Sequence, residues 1–332
     1  MKQTGDLIKQ KSLQKLAVTT VIAAILLVVS LDTLPQFLGK NPLEINNKYA
    51  NLINKSKKEL FDQNINELNN RHSSQKIETK SLSENIVAKS YVVYDVRNDE
   101  ILYSKNPNTI LPLASLTKVV TAATAVNLKD RDTNITIKSD LMREDEKLDL
   151  GMAEGQIWKM DALLKYGLAI SSNSSMDIIA STVSTSNSTF VSKMNDYVKS
   201  LGFKNFRFNS ASGLDYGEVL GGVGTAAEYA RFFAKSYELI PDIMSYTIDS
   251  QVDIYSDYRN LYKIPNTNIY ASQSVGLLAS KTGFTDLAGG NLAIMFDYDV
   301  NRPIVIVVLS STIEDRFTDV DKLYQTVIDS RK

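Results

Sequence analysis

The chain has 332 residues, 43% of them apolar, enough for one large domain or two smaller ones with a substantial core. Its 37 Lys and Arg against 38 Asp and Glu leave a formal charge of -1, which supplies no basic field for nucleic acid, and nucleic acid is therefore not expected as a partner. The absence of cysteine excludes thiol nucleophiles, disulfides and thiolate zinc sites, and a single histidine, His72, excludes a multi-histidine metal site and argues against a Ser-His-Asp triad, so any serine nucleophile needs another base.

Taken in chain order, residues 1–15 carry Lys2, Lys9, Lys11 and Lys15 and are followed by the uncharged run from Leu16 to Leu31. This order predicts an export signal with its N-terminus in the cytoplasm, and residues 16–38 are read as an uncleaved transmembrane anchor, with a signal peptide cleaved at a small-residue site around Val28 and Ser30 as the competing reading. Residues 39–85 shift to Asn, Lys, Glu and Ser and read as a polar stalk, with a helix-like patch from Tyr49 to Leu68. The folded domain is expected over 86–332, on the extracytoplasmic side of the cell membrane.

That domain opens with alternating apolar and polar residues on both sides of Arg97-Asn98-Asp99, which predicts a β-hairpin. Helical patterns follow over Leu116–Leu128, Lys159–Ala169, Ser175–Val183, Phe190–Leu201 and Ala226–Leu239. Strand patterns return in VDIYS, SVGLLASKTG, NLAIMFDYD and PIVIVVLS, before a closing helix near Asp319–Asp329. Strands at both ends of a helical middle predict one antiparallel sheet built from both ends of the domain.

Three short motifs carry chemistry. Ser115 and Lys118 lie three residues apart at a helix start, so they share one face, and a buried lysine with a lowered pKa can take a serine proton. Taken alone, the pair is equally a helix cap and a surface lysine. Ser171-Ser172-Asn173 is a polar knot between two helical patterns; it caps a helix, or gives Ser171 a proton-relay role and Asn173 an amide that orients substrate and lysine. Lys281-Thr282-Gly283-Phe284 ends a strand, where Lys281 and Thr282 suit a carboxylate, Gly283 lets a ligand approach the backbone, and the Phe284 N–H suits an oxyanion. A strand leaving its sheet through a glycine turn would look the same.

In this order and context the three motifs resemble those of the serine penicillin-recognising enzymes, most closely the low-molecular-mass D-alanyl-D-alanine carboxypeptidases. NSASGLD at Asn209–Asp215, PNTN at Pro265–Asn268 and the run KTGFTDLAGGNL extend the resemblance. It implies an α/β fold, an antiparallel sheet with helices on both faces plus a helical subdomain, of the β-lactamase/transpeptidase-like kind. It also implies an acyl-enzyme on Ser115 with Lys118 as base, a peptidoglycan stem peptide ending in D-Ala-D-Ala as substrate, β-lactams as covalent inhibitors, and no cofactor or metal. Lys281 and Thr282 would hold the terminal carboxylate with Arg316, which the likeness of EDRFTDVDKLY brings near the site. The β-rich C-terminal domain and amphipathic tail usual in that group find no counterpart in the fifty or so residues after Gly283, and the N-terminal anchor is expected to replace the tail. A class A-like β-lactamase, a D,D-transpeptidase and a non-catalytic wall-binding scaffold are the alternatives; the first should carry a Glu-x-x-Leu-Asn loop, and no such run lies between Asn173 and Lys281.

Overall fold

The computed structural model describes residues 65, 66, 69, 85–143, 151–256, 261–269, 271 and 275–330. The predicted anchor at 16–38, most of the stalk and His72 lie outside them. Among the described residues no helix is long and apolar enough to cross a membrane.

The chain runs through β1 (Ser90–Asp95), β2 (Glu100–Lys105), β3 (Leu111–Pro112), a 3-10 turn at Ala114–Leu116, α1 (Thr117–Leu128), β4 (Asn134–Thr136) and β5 (Ile157–Lys159). It continues through α2 (Met160–Ala169), α3 (Asn173–Val183), α4 (Asn187–Ser200), β6 (Arg207–Phe208), β7 (Gly222–Gly224), α5 (Ala226–Leu239) and the short α6 (Pro241–Met244). The last part comprises β8 (Gln251–Tyr255), β9 (Leu261–Pro265), β10 (Leu277–Thr285), β11 (Gly289–Asp297), β12 (Pro303–Ser311) and α7 (Asp315–Asp329).

The main sheet is antiparallel with strand order β10-β11-β12-β1-β2, so the opening hairpin joins the late strands through β12. Val92 lies opposite Val307, and Ile306 opposite Ile294. Successive side chains of a strand point to opposite faces. On one face Val92, Tyr94, Val305 and Val307 meet the helices in a core that includes Phe232 and Phe233 of α5. On the other, Tyr91, Val93, Ile304 and Ile306 meet Val320, Leu323 and Val327 of α7. Both faces are covered, which explains why β12 reads PIVIVVLSS, apolar almost throughout instead of alternating.

α1 is buried from Thr117 to Ala125, and in TKVVTAATAVNL only Lys118 carries a charge. A helix apolar on all sides belongs inside a protein, and α1 runs through the helical part against α3, α4 and α5. The helices predicted within 86–332 are all present, with ends displaced by a few residues. α7 begins at Asp315, not Asp319, because the Asp315 N–H donates to Thr312 Oγ1 (2.8 Å) and caps a first turn that has little apolar periodicity. β9 was not expected: LYKIP buries only Ile264 fully, and its partner β8 supplies the order. Within the stretch read as a stalk, Ile65 is buried against Ile110 and Val223, and Asn69 Oδ1 accepts from the Ile110 N–H at 2.6 Å. Ile86 is therefore not the first point at which the chain touches the body.

Candidate active site

Ser115 sits in the 3-10 turn that runs into α1. Ala114 before it has φ +48°, a left-handed backbone that residues with a Cβ seldom adopt. Several bonds hold this turn, among them that of the Leu116 N–H to Leu113 O (3.1 Å) and that of the buried Tyr229 hydroxyl of α5 to Leu116 O (2.8 Å). Lys118 follows one helical turn later and is fully buried. Its Nζ donates to Ser115 Oγ at 2.7 Å, to Asn173 Oδ1 at 2.7 Å and to the Ser212 carbonyl at 2.8 Å. These three oxygens hold Nζ in place and aim it at the serine.

The polar knot caps a helix and also contacts both lysines of the motifs. Ser172 is the N-cap of α3, with its Oγ accepting from the Ser175 N–H at 3.1 Å. Ser171 and Asn173 on either side of the cap face the cleft: Ser171, at φ +64°, accepts from Lys281 Nζ at 2.9 Å, and Asn173 orients Lys118.

β10 forms the opposite wall and is an edge strand of the main sheet. Lys281 is buried, and its Nζ donates to Ser171 Oγ and to Thr282 O, both at 2.9 Å. Burial, reinforced by the positive charges of Lys118 and Arg316, pushes its pKa well below the ordinary lysine range. Thr282 donates to Thr267 Oγ1 at 2.6 Å, and the Thr267 N–H is tied to Ala169 O at the end of α2 (3.1 Å). A Cβ on Gly283 would stand 2.9 Å from Leu113 O and 3.3 Å from Ser115 N, so this glycine lets β10 close on the serine turn itself, where the motif alone pointed to a ligand. Phe284, at the end of this wall, is 43% exposed. Arg316 opens α7, is buried, and donates from Nη1 to Gly283 O at 2.9 Å, while its Nε has no hydrogen-bond partner. Among the described residues neither Lys281 nor Arg316 has a carboxylate at ion-pair distance.

Every residue singled out from the three motifs thus lies on one of two facing walls, and Arg316 joins them. The Ser212 carbonyl and the Thr267 hydroxyl were not singled out, although NSASGLD and PNTN contain them. A backbone acceptor leaves no side-chain signature; the signal near Ser212 is Gly213 (φ +79°), where a Cβ would overlap the Ala114 carbonyl. Glu218 and Glu228 are the glutamates between Asn173 and Lys281 that bear on a deacylating role. Glu228 is engaged by the backbone N–H groups of Lys204 (3.1 Å) and Asn205 (2.8 Å), and Glu218 is exposed. A surface cavity of about 540 Å³ lined by Asp130, Arg131, Lys159, Asp161 and Asp242 among others shares no residue with this cleft, and its Arg131 is already paired with both Asp161 and Asp242.

A family model described as D-alanyl-D-alanine carboxypeptidase matches residues 74–312. A D-alanyl-D-alanine endopeptidase of Pseudomonas aeruginosa is 28% identical over 69% of this chain and 73% of its own length. The D-alanyl-D-alanine carboxypeptidase DacF of Bacillus subtilis is 27% identical over 71% of this chain and 61% of its own. Among solved structures, penicillin-binding protein D2 of Listeria monocytogenes in its ampicillin-bound form is similar with a TM-score of 0.64 and 26% identity, covering 74% of this chain and 99% of that one.

Proposed function

The chain belongs to the D-alanyl-D-alanine carboxypeptidase family, and from that premise we propose that Ser115 is the nucleophile of a serine hydrolase that releases the terminal D-Ala from peptidoglycan pentapeptides. The observation that carries this reading is the 2.7 Å bond between Lys118 Nζ and Ser115 Oγ inside a buried helix whose only charge is that lysine. In its neutral form Lys118 accepts the serine proton on Nζ as Oγ adds to the penultimate D-Ala carbonyl. The oxyanion is stabilised by the backbone N–H groups of Ser115 and Phe284. Ser171, bonded to Lys281, relays the proton taken by Lys118 to the departing amine, the C–N bond breaks, and D-Ala leaves. Water then adds to the ester and returns Ser115 to its free form. Lys281, Thr282 and Arg316 hold the substrate carboxylate; two buried cations with no carboxylate at ion-pair distance among the described residues favour an anionic ligand.

The endopeptidases among the relatives support a second substrate for the same residues: an amide in a cross-link whose leaving residue keeps a free carboxylate beside the amine. A β-lactamase reading is disfavoured because Glu228 is occupied by backbone donors. We further read residues 16–38 as a single-pass anchor and 39–85 as its connection to a catalytic domain over 86–332 outside the membrane, on the uncharged run and the lysines before it. Fractionation of the full-length protein tests this part; intact protein in the soluble fraction overturns it.

The central test is to incubate the protein with a fluorescent penicillin and map the labelled peptide. Label on Ser115, lost together with D-Ala release in Ser115→Ala, is the expected result. D-Ala release by Ser115→Ala at the wild-type rate would remove Ser115 from its role, and rapid multiple-turnover hydrolysis of penicillin with little D-Ala release would promote the β-lactamase reading.

A further inference from the structure

NSASGLD and KTGFT meet away from the reacting atoms. The Asp215 carboxylate accepts from the Thr285 hydroxyl through Oδ2 at 2.6 Å and from the Gly221 N–H through Oδ1 at 2.8 Å. Thr285 immediately follows Phe284 and in turn accepts from the Ala288 N–H at 3.1 Å, so its rotamer is fixed on both sides. Asp215 closes the loop that carries the Ser212 carbonyl. Within that loop the Asn209 and Ser210 N–H groups donate to Gly221 O (2.9 and 3.0 Å), and the Gly213 N–H donates to Ser210 Oγ (2.9 Å). Gly222 O, the next carbonyl, accepts from the Leu113 N–H at 2.9 Å, just ahead of the serine turn. One carboxylate therefore ties the end of β10 to the loop whose carbonyl aims Lys118. The Lys281 to Ser171 bond also joins the cleft walls, but through groups that have work of their own in the reaction.

We propose that Asp215 is a positioning residue for the reaction, acting through Thr285 on the Phe284 backbone and through its loop on the Ser212 acceptor of Lys118. This rests on the assignment of Ser115 and Lys118 given above. Charge-assisted bonds of this length are the strong ones, and a displacement near 1 Å at a reacting group costs about a hundredfold in rate. The carboxylate touches neither substrate nor nucleophile, so its removal should act on kcat and on the acylation rate while leaving the affinity for the substrate carboxylate nearly intact.

The test uses the full chain and compares Asp215→Ala, Thr285→Val and Thr285→Ser with wild type, by D-Ala release from a pentapeptide and by acylation with a fluorescent penicillin. Asp215→Ala and Thr285→Val should lower kcat and the acylation rate by about ten- to a hundredfold, with KM within about threefold. Thr285→Ser, which keeps the hydroxyl, should retain most of kcat. The double variant Asp215→Ala/Thr285→Val should be no slower than the worse single one, since both break the same bond. Wild-type kcat in Asp215→Ala, a loss confined to KM, or equal damage in Thr285→Ser and Thr285→Val would overturn the proposal. If Asp215→Ala does not fold, the Thr285 pair decides by itself. Wild-type protein that takes no label on Ser115 would instead overturn the underlying assignment.

Discussion

Buried and half-buried cations are handled in two ways in this molecule. Away from the cleft Arg302 and Arg131 are matched with carboxylates: Arg302 donates to the fully buried Asp95 at 3.1 Å, and Arg131 is shared between Asp161 and Asp242. In the cleft, Lys118, Lys281 and Arg316 are instead turned toward hydroxyl, amide and backbone oxygens. Burying a charge costs stability unless a counter-charge or several good hydrogen bonds offset it. The first arrangement is what a fold needs; the second leaves positive potential for a ligand to neutralise, at the fold's expense.

That contrast can be broken by experiment. The largest effect is expected at Lys118: Lys118→Ala should lower kcat/KM for D-Ala release by about a hundredfold to ten-thousandfold, the usual worth of a positioned base, without loss of folded protein by circular dichroism. Near-normal acylation by penicillin in this variant would mean that the amine is structural. Lys281→Met should raise KM for the pentapeptide by about ten- to a hundredfold, the scale of a charge-assisted hydrogen bond, with a smaller change in kcat. Equal affinity for substrates with a free and an amidated C-terminus in wild type would show that no carboxylate is recognised. At the matched pair the outcome should reverse: Arg302→Met should cost about 1–3 kcal/mol in denaturant unfolding, because Asp95 keeps its bonds from Asn98 but loses its cation, while acylation stays at the wild-type rate. A slowed acylation there would mean that the two regions are coupled.

The smallest signal lies in the pH dependence of stability. The Lys281 pKa is lowered from 10.5 in the folded state, so between the folded value and 10.5 the unfolded chain binds the extra proton. Stability of the wild type should therefore rise with pH through that window, and below it the full penalty is present. Lys281→Met should flatten this slope and be the more stable protein at neutral pH, as read from denaturation midpoints across the alkaline range. A steeper slope in the variant would contradict the burial of a charged Lys281.

Much of this was legible in the sequence because function forces exceptions to local rules. Lys118 in an otherwise uncharged helix, and a Ser-Ser-Asn knot between two apolar stretches, stand out against the pattern around them. The main sheet was legible because its central strands are long and apolar. β9 and the two- and three-residue strands were not, since their order comes from partners distant in sequence, and the start of α7 depends on one Thr312 hydroxyl. The Lys118 acceptor at Ser212 was hidden for another reason: any residue has a carbonyl, and only the fold decides which one points inward. Gly283 could be located but not understood, because its neighbour is the backbone of Leu113 and Ser115.

The strand order has a further consequence for how the molecule comes into being. β12 is the strand that joins the opening hairpin to β10 and β11. The first segment is also latched from the last helix, through the Val87 and Ala88 N–H groups on Asp319 (2.9 and 2.8 Å) and Lys322 Nζ on Asn85 O (2.8 Å). Contacts so distant along the chain slow folding, since a long loop must close before any bond rewards it. During synthesis β1 and β2 have to wait for almost the whole domain, and a product cut short before Pro303 keeps two open sheet edges in place of one closed seam. Such edges are templates for pairing with other chains, so truncation products should be prone to aggregation.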